Sequence, residues 1–284
     1  MRGGPVVAEM TSSRLQRSGR VLTRVVIGVL GLLMLVPLLY LVVIASQGHD
    51  GLLDTLWFEE FALFSNISEV MHRPRFIRYI LNSVIVSTIA GLGECLLAGS
   101  AGYALAKMQF PGRRLLFTVV VATLALSPVV TVIPIYAMVQ NAGFTSTYLG
   151  LIVPLLLSGF GVFLIRQFAS GIPDSVLHAA RIDGASEMRI FFTIAVPLLR
   201  PALLTLFLIV FVAQWDNLLW PLRVSNDPNL WTLPVALSSF QTEIGVSYRL
   251  VMAGSLISLV PPLILFASMQ RYYVRGLSMG SLKG

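Results

Sequence analysis

Apolar positions in this chain gather into long runs instead of alternating with polar ones, as they would along a half-buried strand or helix. Uncharged stretches cover 25–46, 82–106 (interrupted by Glu94 alone), 115–139, 148–165, 201–215 and 250–270. A helix needs roughly 20 residues to cross a hydrocarbon core of ~30 Å. The pattern predicts an all-α integral membrane protein with six transmembrane helices. Prolines inside the runs, at Pro128, Pro134, Pro154 and the pair Pro261–Pro262, each remove a backbone hydrogen bond and predict kinks.

The connections are unequal. Segment 47–75 mixes acids with Trp57, Phe58, Phe61 and Phe64, and reads as an amphipathic stretch along a membrane surface. Segment 167–200 is the longest loop on the opposite side. Segment 223–249 mixes Asn, Asp, Ser, Thr and Pro. The first run follows Arg14, Arg17, Arg20 and Arg24, but it exceeds the 7–15 residues usual for a signal peptide and lacks a small-x-small cleavage site. It is expected to be a retained helix.

Composition agrees with the pattern. Of 284 residues, 56% are hydrophobic and 12% are charged, about half the charge share of a soluble domain. Charge then sets orientation. With the N-terminus inside, 15 of the 20 basic residues fall in inner segments, leaving Arg73, Arg75, Arg78, Arg223 and Arg249 outside. Asp50, Asp54, Glu59, Glu60 and Glu69 share the first outer loop. The positive-inside rule therefore predicts both termini on the inner side. The net charge of +7 is spread between apolar runs and not gathered on one face, so no nucleic-acid partner is expected.

Loop 167–200 carries the chemistry. Pro173 suits the start of a helix and Asp174 its first turn. Val176, Ala179, Ala180 and Asp183 recur at three- and four-residue spacing and bring small side chains to one face. Gly184 ends the helix or turns the backbone. A second short helical stretch with Ile190, Phe191 and Ile194 follows, and Pro197 and Pro201 are expected to stop it. The result is a helix–turn–helix elbow outside the membrane, shaped to dock against a partner.

These residues resemble the EAA loop of binding-protein-dependent ABC importers, whose pattern is E-A-A-x-x-D-G-A followed by I-x-x-P. Ala179, Ala180, Asp183, Gly184, Ala185, Ile194 and Pro197 match it. His178 stands where the family has Glu, which removes a carboxylate from the docking face. Gln214-Trp215-Asp216-Asn217 through Leu222 is similar to a segment near the outer end of the fifth helix in carbohydrate permeases. The C-terminal stretch 270–284, and Asn82-Ser83, resemble the second permease of maltose-type importers.

The resemblance implies an ABC importer type I transmembrane domain. It implies a second homologous permease subunit, two ATP-binding subunits on the inner face and an extracytoplasmic solute-binding protein, in a bacterial or archaeal cell membrane with its lipid. The coupling residues would be His178, Ala179, Ala180, Asp183, Gly184, Ala185, Ile194 and Pro197. The last outer loop would reach the binding protein, and the tail 276–284 would contact the ATPases. On this reading the chain divides into an N-terminal tail 1–24, a first helix with its interfacial segment at 25–76, a core permease domain 77–272 and a C-terminal tail 273–284.

Other residues carry weaker signals. Glu94 is an acid inside an apolar run, which points to a functional group facing the bundle interior or a cavity, to a hydrogen bond between helices, or to a neutral protonated acid. Gln214, Trp215, Asp216 and Asn217 are substrate-pathway candidates, since amides and carboxylates bind sugar hydroxyls and an aromatic face covers the ring. Trp215 and Trp220 are equally readable as membrane-interface anchors. Cys95 is alone, and His49, His72 and His178 are scattered, so no metal set is expected. No G-x-x-x-x-G-K-[ST], H-E-x-x-H or G-x-S-x-G run occurs. The chain is expected to be no enzyme and to bind no cofactor, ATP and Mg being used by the partner ATPases. A stand-alone secondary transporter is the rival reading, against which stand the lack of a visible repeat and the scarcity of intramembrane charge.

Overall fold

The computed structural model describes residues 6–49, 61–240 and 247–280, with side chains described between 23 and 270. The expectations placed on Trp57, Phe58, Asp50, Asp54, Glu59 and Glu60, and on residues 241–246 and 281–284, lie outside the described residues. Every regular element among the described residues is helical. Four helices are long and apolar enough to cross a membrane, and two bent pairs bring the number to six if each pair is one span.

The chain opens with α1 (Val6–Ala45), then α2 (Leu63–His72) and the central α3 (Phe76–Lys107). α1 is helical through much of the stretch expected as an N-terminal tail. Its apolar side chains, Leu32 and Met34 among them, are exposed and suited to lipid. Asn66 ties α2 to the end of α1 by donating to the carbonyls of Ala45 and Gln47 at 2.9 and 2.8 Å.

The expected third span is not one rod. α4 (Arg113–Thr123) and α5 (Pro128–Asn141) meet at 109°. Proline disfavours helix at the residue before it, so Ser127 is extended and Pro128 starts a new helix instead of kinking an old one. The fourth run is also broken: α6 (Tyr148–Ile152), with a 3-10 turn at Val153–Leu155, bends by 43° into α7 (Gly159–Ser170).

A second correction concerns prolines 197 and 201. They do not stop the helix after the elbow. α8 (Asp174–Ile182) is followed by α9 (Glu187–Ile190), a π-helical turn at Phe191–Ala195, and α10 (Val196–Trp215) in one rod. Pro197 lies one residue into α10, directly after the π turn. The wide π turn before it has already broken the i→i−4 register. Farther along, the Thr205 hydroxyl donates to the Pro201 carbonyl at 2.9 Å. α11 (Leu219–Val224), a 3-10 turn at Pro228–Leu230, α12 (Leu233–Ser239) and α13 (Tyr248–Gly280) complete the chain. α13 runs on past residue 270 into the expected tail.

α3 is the axis of the packing, with α7 and α10 against it and α13 joining α10 to α1. Gly102 makes the α3–α7 approach close. A Cβ there would lie 2.9 Å from the backbone nitrogen of Arg166 and 3.0 Å from the Val162 carbonyl oxygen. At the other end of α3, Asn82 donates to the carbonyls of Asn229 and Trp231, both at 2.9 Å, and accepts from the Tyr148 hydroxyl at 2.6 Å. Ser83 accepts from the Leu233 amide at 2.7 Å. The Asn82-Ser83 pair thereby anchors the described part of the loop between α11 and α13.

Candidate functional site

The elbow is built from α8, its turn and α9. α8 ends in a Schellman motif: the Ala185 amide donates to the Ala180 carbonyl at 3.0 Å, and that of Gly184 to Arg181 at 3.1 Å. This closure needs a left-handed residue, and Gly184 supplies it at φ +78°. Ser186 then caps α9 by accepting from the Arg189 amide. Arg181 bridges the turn, its Nε donating to Glu187 Oε1 at 2.7 Å and its second nitrogen to Oε2 at 3.3 Å. The forked pair links the end of α8 to the start of α9 across the turn.

A clamp holds the base of the elbow. Lys107, the last residue of α3, donates to the Ile172 carbonyl at 2.6 Å and to Asp174 Oδ1 at 2.7 Å. Leu177, Ile190 and Phe191 are buried in one cluster with Tyr103 of α3, Ile165 of α7 and Leu199 of α10. The elbow cannot move without pressing on all three helices. That follows from dense packing, in which a displaced side chain must displace its neighbours.

The Lys107 ammonium beside Asp174 holds that carboxyl below its ordinary value, chiefly through the hydrogen bond. An acid lowered in this way stabilises the folded elbow above its unfolded pKa, about 3.9 for Asp, and loses that contribution as pH falls through the lower folded value. Hydrogen-exchange protection of α8 is therefore expected to be flat from neutral pH down to about 5. Asp174→Asn should lower it throughout that range. Equal protection in the variant would show that the pair contributes nothing.

The predicted small-residue face divides in two. Ala180 and Ala185 pack inward against the cluster, as does Ile194. His178, Ala179, Asp183 and Gly184 are exposed, and Val176 with them. Pro197 is also exposed, at the start of α10. Sequence reasoning missed the two most prominent apolar side chains, Ile182 at 86% exposure and Met188 at 66%. Both flank Gly184 in sequence, and neither belongs to the motif. The Lys107 and Glu187 contacts were missed as well.

The second group lies at the far end of α10. Trp215 is fully buried, stacked on Phe211 at 5.8 Å, with its Nε1–H donating to Ser258. Trp220 is buried too and donates to the Leu151 carbonyl at 3.3 Å. Neither ring is free to cover a sugar or to lie in a membrane interface in this conformation. Asn217 donates to Gln214 Oε1 at 3.0 Å and accepts from the Trp220 amide at 3.2 Å, which caps α11. Asp216 is exposed at the C-terminus of α10, where a negative charge opposes the helix dipole.

Glu94 is 2% exposed and accepts from the Ser158 hydroxyl, which in turn accepts from the Gly161 amide at 2.9 Å. The carboxylate therefore closes α3 onto the start of α7, at the break in the fourth run. A hydrogen bond between helices is therefore present at Glu94. No group of His, Cys, Asp and Glu able to hold a metal occurs among the described residues.

Comparison with known proteins gives a consistent result. Residues 96–279 match the family described as binding-protein-dependent transport system inner membrane component. The chain is 36% identical over 203 residues to the arabinooligosaccharides transport system permease protein AraQ of Halalkalibacterium halodurans, covering 72% of this chain and 73% of that one. It is 34% identical over 223 residues to the sn-glycerol-3-phosphate transport system permease protein UgpE of Yersinia pestis, covering 76% and 79%. Among solved structures, a chain of a bacterial ABC transporter involved in import of alginate superposes with a TM-score of 0.77 at 21% identity, covering 92% of this chain and 98% of that one. A chain of an alginate ABC transporter in complex with an alginate pentasaccharide-bound periplasmic protein superposes at 0.62, with 15% identity and 93% and 96% coverage.

Proposed function

The chain belongs to the family of binding-protein-dependent transport system inner membrane components, and we propose that it is one of two permease subunits of an ATP-driven importer of a carbohydrate or carbohydrate-like solute. It crosses the inner membrane of its cell with six spans, α4–α5 and α6–α7 each forming one, and with both termini inside. A homologous permease pairs with it. Two ATP-binding subunits sit under the elbow and carry the hydrolysis with Mg, while a solute-binding protein delivers the sugar on the other side.

The elbow's construction is the observation that carries this reading. Its base is clamped by Lys107 and plugged into the core by Leu177, Ile190 and Phe191, while its tip presents Ile182 and Met188 to solvent. Apolar side chains exposed on a rigid tip outside the hydrocarbon point to a protein partner. Force applied at the tip reaches α3, α7 and α10 through the base, which is what alternating access requires. His178, on the exposed face, gives the partner an imidazole to meet in place of the family's carboxylate. The sugar class rests on the relatives, whose names specify arabinooligosaccharides and glycerol phosphate. Gln214, Asp216 and Asn217 are the residues here proposed to meet the solute, with Trp215 and Glu94 holding the helices that carry them.

Gentle extraction of the tagged chain from its own membrane is expected to bring a second permease and a P-loop ATPase with it. The binding protein recovered alongside is expected to bind a sugar in a calorimetric screen. Recovery of the chain alone, under conditions that preserve other membrane complexes, would favour a stand-alone secondary transporter.

A further inference from the structure

At the elbow end of the molecule, a separate pocket of about 490 Å³ lies between α4 and α7. Arg113, Arg114 and Arg166 line it together with Phe117, Thr118 and Leu105, and no acidic side chain does. Three guanidinium groups sharing one partly buried space repel each other unless an anion joins them. Arg113 is partly committed, donating to the carbonyls of Leu105, Ala106 and Met108 at the end of α3. Arg166 is not. Its guanidinium lies 3.6 Å over the Phe117 ring, and its Nε–H is buried with no hydrogen-bond acceptor. A buried donor without an acceptor is costly, and it leaves the Arg166 cation with an aromatic ring but no oxygen as its partner.

Two further features say what kind of oxygen. α4 begins at Arg113 with no side-chain cap, so the positive end of a helix opens at the pocket wall. Beyond its first residues, Leu115, Leu116 and Val119 are exposed apolar side chains on the same short helix. A phosphate satisfies the first feature, and an acyl chain covers the second.

We propose that this pocket holds the phosphate of an anionic phospholipid, with its acyl chains running along α4. Basic pockets between membrane helices bind such headgroups by charge and by hydrogen bonds together. Arg166 and Arg114 are the phosphate ligands, and the Phe117 ring supports the Arg166 guanidinium beside the headgroup; the Thr118 hydroxyl already donates to the Arg114 carbonyl at 3.0 Å and only lines the pocket. The proposal rests on α4 belonging to a membrane span. The N-inside orientation decides only which leaflet supplies the lipid.

Native mass spectrometry of the tagged chain, purified with its accompanying subunits, tests this with palmitoyl-oleoyl phosphatidylglycerol and the matching phosphatidylcholine. One phosphatidylglycerol is expected to stay bound under activation that strips phosphatidylcholine. Arg166→Gln and Arg114→Gln should each lower its retention roughly fivefold, the value of one surface cation near an anionic headgroup. Arg166→Lys, which keeps the charge, should recover part of the loss and guards against a folding artefact, and Arg223→Gln should change nothing. Equal retention of both lipids, or retention indifferent to Arg114 and Arg166, would overturn the site. Displacement of the lipid by millimolar inorganic phosphate would make it a free-anion site instead. Absence of phosphatidylglycerol from the intact complex would assign the pocket to a protein partner. A wrong orientation would leave these readings unchanged, so failure here is separable from failure of the topology.

Discussion

Gly184→Leu is expected to abolish ATP-driven uptake while the chain remains folded in the membrane. Two costs must be separated. The backbone at Gly184 has φ +78°, which any L-residue occupies with strain; that costs roughly 1–2 kcal/mol. Against a total stability of about 5–15 kcal/mol, the fold survives. Sterically, the site is open, since nothing lies within 4 Å of an added Cβ. The leucine side chain therefore projects into open space, on the face where the proposed function seats an ATPase subunit.

Gly184→Ala carries the same backbone strain with almost none of the bulk. If docking is the function, the leucine variant should retain at least roughly tenfold less ATPase subunit in a pull-down than the alanine variant, a difference of about 1.4 kcal/mol. Membrane levels of the two should be equal. Equal losses in both would mean that only the strained turn matters, and normal retention in both would remove the elbow from the coupling surface.

The elbow was legible in the sequence because its determinants are local. A proline start, a glycine stop and small residues at helical spacing all lie within one loop, and the Schellman closure at Gly184 follows from that order. The contacts that anchor it were not legible. Lys107 reaches Asp174 across 67 positions, and Asn82 reaches Asn229 across 147. No periodicity reports such pairs. Proline was misjudged in both directions for one physical reason. Its effect depends on whether the ladder is already interrupted where it falls. At Pro128 the preceding residue turns extended and the run breaks, whereas at Pro197 a π turn has absorbed the missing amide and the rod continues. Trp215 was read either as a solute contact or as an interface anchor, and its burial was not foreseen. An indole surrounded by Phe211 and Ser258 is as good an interior residue as an exposed one, and the linear sequence does not distinguish them.

Small residues on α3 also escaped notice, because in a run of apolar residues a glycine carries no periodic signal. The consequence is testable at Gly102. In a bilayer the hydrophobic effect does not press helices together, so close backbone approach through small residues supplies the association. A Cβ at Gly102 would meet the Arg166 backbone nitrogen at 2.9 Å and the Ile165 Cβ at the same distance. Backbone atoms of a neighbouring helix cannot rotate aside as a flexible side chain does, so α3 and α7 must separate. Gly102→Val is expected to cost about 1–3 kcal/mol from overpacking, more than the few tenths a valine recovers in helix propensity over glycine. The detergent-solubilised complex should then melt several degrees lower. Gly28→Val in α1, where nothing lies within 4 Å, is the matched control and should shift stability by less than about 0.5 kcal/mol. The effect should also reach the elbow. Lys107 follows Gly102 on α3 by about 7.5 Å of helix, while its acceptors Ile172 and Asp174 follow the end of α7. Parting the two helices pulls the clamp open, so Gly102→Val should lower hydrogen-exchange protection across α8 while leaving α1 unchanged. Unaltered protection in α8 would mean that the elbow is held by its apolar plug alone, and that Lys107 is dispensable for transmitting motion into the bundle.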